Sequence, residues 1–317
     1  MAVAGRVIVS AAVLVAAALV LFVAFRGHGG THPPAAAGQG AAGLGGTSPA
    51  SSASSGPSAQ SGQSAASAPA RHADPLSGAA ASYVAGRSGR VLAAVYDVST
   101  GQSWHLGDGP PQAEASVVKL DILETLLAQQ AGNGLPAGDR SLSASMIEDS
   151  DNDAATSLWD AAGGAAGIGA YNDSAGLSGT TPSACVTCAG FAWPGWGLTT
   201  TVPQDQLTLL RQLIVPGPRP LLSGAQRSYA LSLMENVLPD QRWGVSGGVT
   251  AWVTVALKNG WLPLDAANTD WQVNSVGWVS GDGRDYLVAV FTTGNPTEQY
   301  GIDTINDLSS VIWTSMR

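Results

Sequence analysis

Hydrophobic and polar positions divide the chain into three stretches. Val7 to Phe25 is an apolar run of 19 residues broken only by Ser10 and flanked by Arg6 and Arg26, long enough to cross the hydrocarbon core of a bilayer. Residues 27–75 are almost wholly Ala, Gly, Ser, Pro, Gln and Thr, with Leu44 the only large aliphatic side chain, so they bury too little apolar surface to fold. From residue 76 onward periodic patterns return. Strands are predicted over Arg90 to Ser99 and Gln102 to Leu106, joined by a turn at Thr100-Gly101. Helical spacing then takes over: one helix starts near Ser116, and others cover Leu142 to Asp149, Asp153 to Ala162, Gly167 to Ala175, Pro203 to Ile214 and Gly224 to Val237. Thr201-Val202-Pro203-Gln204 has the spacing of a capping box. Strands resume at Trp252 to Lys258, Trp271 to Ser280 and Tyr286 to Thr293, the last two joined by Gly281-Asp282-Gly283. Ile302, Ile305, Leu308 and Ile312 line one face of a closing helix. Strands at both ends with helices between them predict an α+β domain built on one antiparallel sheet.

The three stretches imply residues 1–26 as a signal anchor or cleaved signal peptide, 27–75 as a tether and 76–317 as the folded domain. The apolar run exceeds the usual signal-peptide core, and the nearest small-residue cleavage site, Ala35 to Ala37, lies well downstream, which favours a retained anchor with the rest outside the cytoplasm. As a flexible coil the tether would span about 40 Å.

Charge narrows the partners. The chain carries a formal charge of −9; Arg6, Arg26, Arg71 and Asp74 give the part before residue 76 a net +2, so the domain carries −9 − 2 = −11. Nucleic acid is thereby excluded as a partner, since phosphate binding needs clustered Lys and Arg. The two cysteines, Cys185 and Cys188, are too few for a closed zinc site; a local disulfide and a free structural pair both fit them. The expected chemistry needs no metal or cofactor, and the expected state is a monomer.

Three of the four histidines, His28, His32 and His72, lie in the tether, and His105 in an early strand, which argues against a Ser-His-Asp triad. A nucleophilic serine would have to be activated by lysine or a carboxylate. The chain has only two lysines, Lys119 and Lys258; lysine, unlike arginine, can lose its proton on burial. Ser116-Val117-Val118-Lys119 places a hydroxyl and an amine one helical turn apart, at a helix N-terminus that favours developing negative charge.

Two more motifs follow in order, Ser150-Asp151-Asn152 at a helix junction and Lys258-Asn259-Gly260 closing a strand. The set S-x-x-K, S-D-N and K-x-G resembles that of class A β-lactamases and penicillin-binding proteins. The resemblance extends to Met146 through Ala155 and to Leu198-Thr199-Thr200-Thr201 with Asp205, and its order of strands and helices covers residues 76–317. It implies a β-lactamase-like fold, an antiparallel sheet with N- and C-terminal helices on one face and a helical subdomain. It also implies an extracytoplasmic serine acyl-hydrolase acting on β-lactams or peptidoglycan stem peptides. Ser116 would be acylated, Lys119 would take its proton and Ser150 would pass a proton to the leaving nitrogen. Asn152 would hold the substrate amide, Lys258 would attract a carboxylate, and the N–H groups of Ser116 and Trp261 would form an oxyanion hole beside Gly260.

Departures from the pattern are informative. Asn259 stands where the family has a hydroxyl residue, so a contact to the substrate carboxylate is lost or becomes an amide contact. The interval from Lys119 to Ser150 is short. From Ser174 to Gln204 there is no Asp or Glu, although the family's deacylating glutamate belongs in this loop, so hydrolysis of the acyl-enzyme should be slow. Glu148 and Asp149 either substitute for it or form a solvated helix end, the latter being the simpler reading. Trp193, Trp196, Trp243, Trp261 and Trp271 read as core residues, with Trp261 placed to wall a cleft. A D,D-peptidase-like activity and a non-catalytic wall-binding domain are the alternatives.

Overall fold

The computed structural model describes residues 72–317; the predicted membrane segment and nearly all of the tether lie outside them. In chain order the elements are α1 (Ala79–Ala85), β1 (Arg90–Asp97), β2 (Ser103–Leu106), β3 (Gln112–Ala113), α2 (Val118–Gln129), α3 (Ala137–Glu148), α4 (Asn152–Ala161), α5 (Gly164–Ala175), β4 (Thr200–Thr201), α6 (Pro203–Ile214), α7 (Gly224–Glu235), β5 (Thr254–Pro263), β6 (Trp271–Gly281), β7 (Arg284–Asn295) and α8 (Glu298–Ser315). Among the described residues no helix is long and apolar enough to cross a membrane.

Five strands form one antiparallel sheet in the order β2-β1-β7-β6-β5. Both of its faces are covered, which is why its strands read as nearly unbroken apolar runs. On β1, Val91, Ala93 and Val95 face a core completed by Leu76 and Ala80 near α1 and by Ile305, Leu308 and Ile312 of α8. Leu92, Ala94 and Tyr96, one position out of phase, face the helical side with Leu123, Leu158 and Leu210. The α+β fold expected from the order of elements is the one observed.

Local differences from the sequence reading have physical causes. Helix α1 went unpredicted because its sequence, AAASYVA, has too few large apolar residues to show a period. Strand β5 continues past Lys258 to Pro263, so Lys258-Asn259-Gly260 sits within the strand and does not close it. Trp252, expected to open that strand, precedes it and is 94% exposed. The expected capping box at Thr201 is not made: the N-cap of α6 is Val202 without a side-chain cap, and the Thr201 hydroxyl bonds instead to Thr180 and Gln206. A capping box does start α7, where Ser223 and Gln226 bond reciprocally.

The ends of the site-bearing segments are tied together. Asn274 on β6 sits opposite Gly260 on β5, and its amide donates to the carbonyls of Ala113 and Glu114 at 2.8 and 2.9 Å. β3 pairs with β4, and Glu114 N donates to Thr199 O at 2.8 Å. The segment before Ser116 is thus clamped between the sheet and the long loop that follows α5.

Candidate active site

Ser116 lies in a 3-10 turn, Ala115–Val117, that runs directly into α2, so the helix proper begins two residues later than its expected start. Ala115 has φ +52° and Ser150 has φ +57°, left-handed values that cost a non-glycine residue about 1–3 kcal/mol and persist only where surrounding structure enforces them. Both strained positions flank the same cleft. At Ala115 the enforcing contacts are those of Asn274 and Thr199 to the neighbouring backbone.

Lys119 enters from the first turn of α2 and is fully buried. Its Nζ donates to Ser150 O at 2.5 Å, to Ser150 Oγ at 3.1 Å and to Asn152 Oδ1 at 2.8 Å. The indole of Trp196 lies 5.1 Å from the same nitrogen. Lys258, on β5 and equally buried, donates to Ser150 Oγ at 3.0 Å and to Asn259 O at 2.9 Å. The chain's only two lysines therefore meet on one hydroxyl. Burial lowers the Lys119 amine to about 6, helped by the Lys258 charge and opposed by Asp151 and Asp149; burial alone lowers Lys258 to about 7. At neutral pH Lys119 is mostly an unprotonated amine, the state a general base needs. A neutral amine has two N–H groups and a lone pair, so one of its three contacts must then reverse, and the Ser150 hydroxyl, which can donate as well as accept, is the group able to do it.

The S-D-N motif divides its labour. Ser150 holds the junction of α3 and α4, Asp151 is the N-cap of α4 with Oδ1 accepting from Ala154 N at 2.6 Å, and Asn152 opens the helix with its amide on Lys119. The Ser116 hydroxyl makes no hydrogen bond to another described residue and borders a cleft of about 170 Å³ shared with Ser150, Asn152 and Trp261. Lys119 therefore hydrogen-bonds to Ser150 and Asn152 and not to Ser116 in this arrangement.

Gly260 has a steric reason to be glycine. A Cβ there would lie 2.6 Å from Ser116 N and 2.7 Å from both Glu114 O and Val117 N. The backbone of β5 thus presses against the 3-10 turn, which brings the strand segment leading to Trp261 alongside the Ser116 amide, where an oxyanion hole would be. Asn259 is turned away from the cleft: its Nδ2 donates to Gln241 O at 2.7 Å and Trp243 O at 3.1 Å. Both of its N–H groups are engaged, so the amide contact to substrate that was one expectation for Asn259 is not available. Its observed work is to hold Gln241 on the rim of the cleft.

The loop between α5 and α6 supplies aromatic walls. Trp193, Pro194 and Trp196 line the cleft, so two of the tryptophans read as core face the site, although Trp196 is itself buried and Trp193 is 44% exposed. Trp261 lines it as expected and packs edge-on against Trp243, ring centres 5.7 Å apart. Cys185 and Cys188 are joined as a disulfide. Gly195 packs directly on it, since a Cβ there would fall 2.2 Å from Cys185 O and 2.3 Å from Cys188 Sγ. Asp205 ties the loop's start to α6 by accepting from Gly179 N and Thr180 Oγ1 at 2.7 and 2.8 Å.

Of the acids near the second motif, Asp149 is exposed and borders the cleft, whereas Glu148 does not. Sequence reasoning missed Gln241 and Asn274; the second has a signal, a polar pair Asn274-Ser275 inside an otherwise apolar strand. It also missed three buried carboxyls beneath the site, Glu114, Asp121 and Glu124. Burial holds all three above the usual carboxylate range, Asp121 at about 7. Among the described residues no group of three His, Cys, Asp or Glu side chains is arranged to hold a metal ion.

Comparison with known proteins places this geometry. Solved structures with the same fold include the TLA-1 extended spectrum β-lactamase, 14% identical, covering 74% of this chain and 95% of that one with a TM-score of 0.63. A β-lactamase from Chitinophaga pinensis DSM 2588 is 20% identical over 74% of this chain and 97% of its own, TM-score 0.63. An ancestral (GNCA) class A β-lactamase is 22% identical over 74% and 97%, TM-score 0.60. No curated protein matches the chain in sequence. The family model described as "Beta-lactamase enzyme family" matches residues 128–316, more than half of the chain and inclusive of Ser150, Asn152 and Lys258. With that match and the class A β-lactamase fold, the chain belongs to the β-lactamase enzyme family.

Proposed function

We propose that the protein is an extracytoplasmic serine acyl-hydrolase, held at the membrane by its N-terminal segment, in which Ser116 attacks the carbonyl of a β-lactam or a D-Ala-D-Ala-type peptide. The observation that carries the reading is the meeting of Lys119 and Lys258 on the Ser150 hydroxyl beside Ser116. In the first step the Ser116 oxygen bonds to the carbonyl carbon and its proton passes to neutral Lys119. The C–N bond then breaks while the nitrogen takes a proton through Ser150, leaving an acyl-enzyme. Backbone N–H groups at Ser116 and Trp261 would hold the oxyanion. The Cys185–Cys188 disulfide supports a compartment outside the cytoplasm.

Deacylation is expected to be slow, because the loop bordering the cleft presents Trp193, Pro194 and Trp196 where an acid would activate water. The same feature favours, as a second reading, a D,D-peptidase-like enzyme that retains penicillin as an adduct. Intact-mass measurement of the chain after exposure to benzylpenicillin, with Ser116→Ala as control, tests both. A long-lived adduct absent from the variant is expected, rapid turnover of a chromogenic cephalosporin would favour a lactamase, and neither adduct nor turnover would overturn the acylation reading.

A further inference from the structure

The polar side chains around the cleft are unequally committed. Ser150 Oγ takes a hydrogen bond from each lysine, Asn152 Oδ1 accepts from Lys119 at 2.8 Å, and Asn259 gives both of its N–H groups to the carbonyls of Gln241 and Trp243 at 2.7 and 3.1 Å. Gln241, which lines the cleft, is the reverse case. Its backbone is engaged, N with Leu238 O at 2.8 Å and O with Asn259, whereas its carboxamide bonds to no other described residue and its Oε1 is buried without a partner. A buried acceptor left unpaired is rare in a folded protein and calls for a reason. The seat beneath Gln241 is closely made. Leu238 N donates to Glu148 O at 3.0 Å, two residues before Ser150, and Val245 N donates to Ser275 Oγ at 2.9 Å. Gly244 packs so tightly that a Cβ there would collide with Ser275 Oγ and lie 3.1 Å from Asn259 Oδ1. Gln241 is thus bracketed by the α3–α4 junction that carries Ser150 and the strand that carries Lys258.

We infer that the Gln241 carboxamide is the side chain that reads the leaving half of the acyl donor, hydrogen-bonding through Nε2 to a carboxylate there, with Asn259 serving as its buttress. Ser150 passes a proton to the leaving nitrogen, so the leaving half lies on the Ser150 side of the cleft, where Gln241 is held. A carboxylate placed there meets N–H groups that no protein group occupies, with the Lys258 charge one hydroxyl behind. A hydrogen bond to an ionised acceptor is roughly twice as strong as one between neutral groups. Asn152 remains for the acyl half. The inference rests on the acylation reading and adds to it the residue that distinguishes leaving groups.

Two esters separate leaving-group recognition from acylation itself: phenylacetylglycine esterified to 3-hydroxybenzoate and to phenol. They deposit the same acyl group on Ser116 and differ only in a carboxylate on the leaving half. Acylation rates of the full chain with each ester would be followed by phenol release and intact mass. Gln241→Leu is expected to lower the rate of the carboxylate ester relative to the phenyl ester by about tenfold to a hundredfold, the usual loss for one hydrogen bond to a charged group. Gln241→Glu, which keeps the shape and adds like charge, should lower that ratio further. A ratio unmoved in both variants, equal slowing of the two esters included, would overturn this inference and leave the acylation reading standing. Labelling of the wild type by neither ester would overturn both.

Discussion

Lys119 and Lys258 donate to the same oxygen, Ser150 Oγ, from 3.1 and 3.0 Å. Burial weakens both amines' hold on a proton, and the nearby Lys258 charge weakens that of Lys119 further. Acylation of Ser116 should rise with pH through about 6, as Lys119 becomes the free amine. Lys258→Met removes one positive charge, which lets Lys119 keep its proton longer. The rise should move upward by about one pH unit. Acylation rate against pH, measured by mass spectrometry for both proteins, checks it; an unmoved or downward-shifted rise would refute the coupling.

Gly260→Ala should damage activity beyond its size. The added methyl would meet three backbone atoms at 2.6–2.7 Å, and backbone, unlike a flexible side-chain end, cannot step aside. Moving Ser116 N away from its partner strand should slow acylation by about 10²–10³-fold, the usual effect of losing one oxyanion donor. Wild-type acylation in the variant would show that Ser116 N needs no such seat.

Replacing Cys185 and Cys188 by serine opens a four-residue loop. The chain-entropy relation for a loop that small puts the loss near 2 kcal/mol, or roughly 4–8 °C in Tm for a domain of this size. Because Gly195 rests on the disulfide between two wall residues, Pro194 and Trp196, acylation should slow as well. Calorimetry and acylation rates of the double variant, compared with wild type under reductant, would test both; unchanged Tm and rate would mean that the bond does not shape the wall.

Asp121→Asn should change how stability depends on pH. Asp121 holds its proton up to about 7 in the fold against an ordinary value of 3.8, so between those limits the folded state binds more protons than the unfolded one. Stability must then fall as pH rises across that window. Asparagine cannot lose a proton, and it can keep a hydrogen bond with Asn172, whose amide now donates to Asp121 Oδ2 at 3.0 Å. The variant's Tm should gain on wild type by several degrees between pH 5 and pH 8. Parallel melts at the two pH values would reject the assignment if the gap stayed constant.

Much of the architecture could be read in the chain because it depends on local pattern. Short apolar runs bounded by turn residues located β1, β6 and β7, and the stripe of Ile305, Leu308 and Ile312 located α8. Where pattern was faint, as in α1 or at the start of α3, an element or its boundary was missed. The capping box at Thr201 failed because Thr180 and Gln206 engage its hydroxyl, a contest no four-residue window contains.

At the site the division is sharper. Residue type and spacing drew attention to Lys119 and Lys258, the chain's two lysines, and to Ser116 beside the first, while the resemblance to the β-lactamase motif set brought in Ser150. Only folding could decide that Lys119 bonds to Ser150 and Asn152 in preference to Ser116, that Asn259 faces away from the cleft, and that Asp149 is the charge left on its surface. Those outcomes depend on groups distant along the chain competing for hydrogen bonds and burial in three dimensions. The identity of a residue states what it can donate, accept or titrate; which partner it receives is settled by packing.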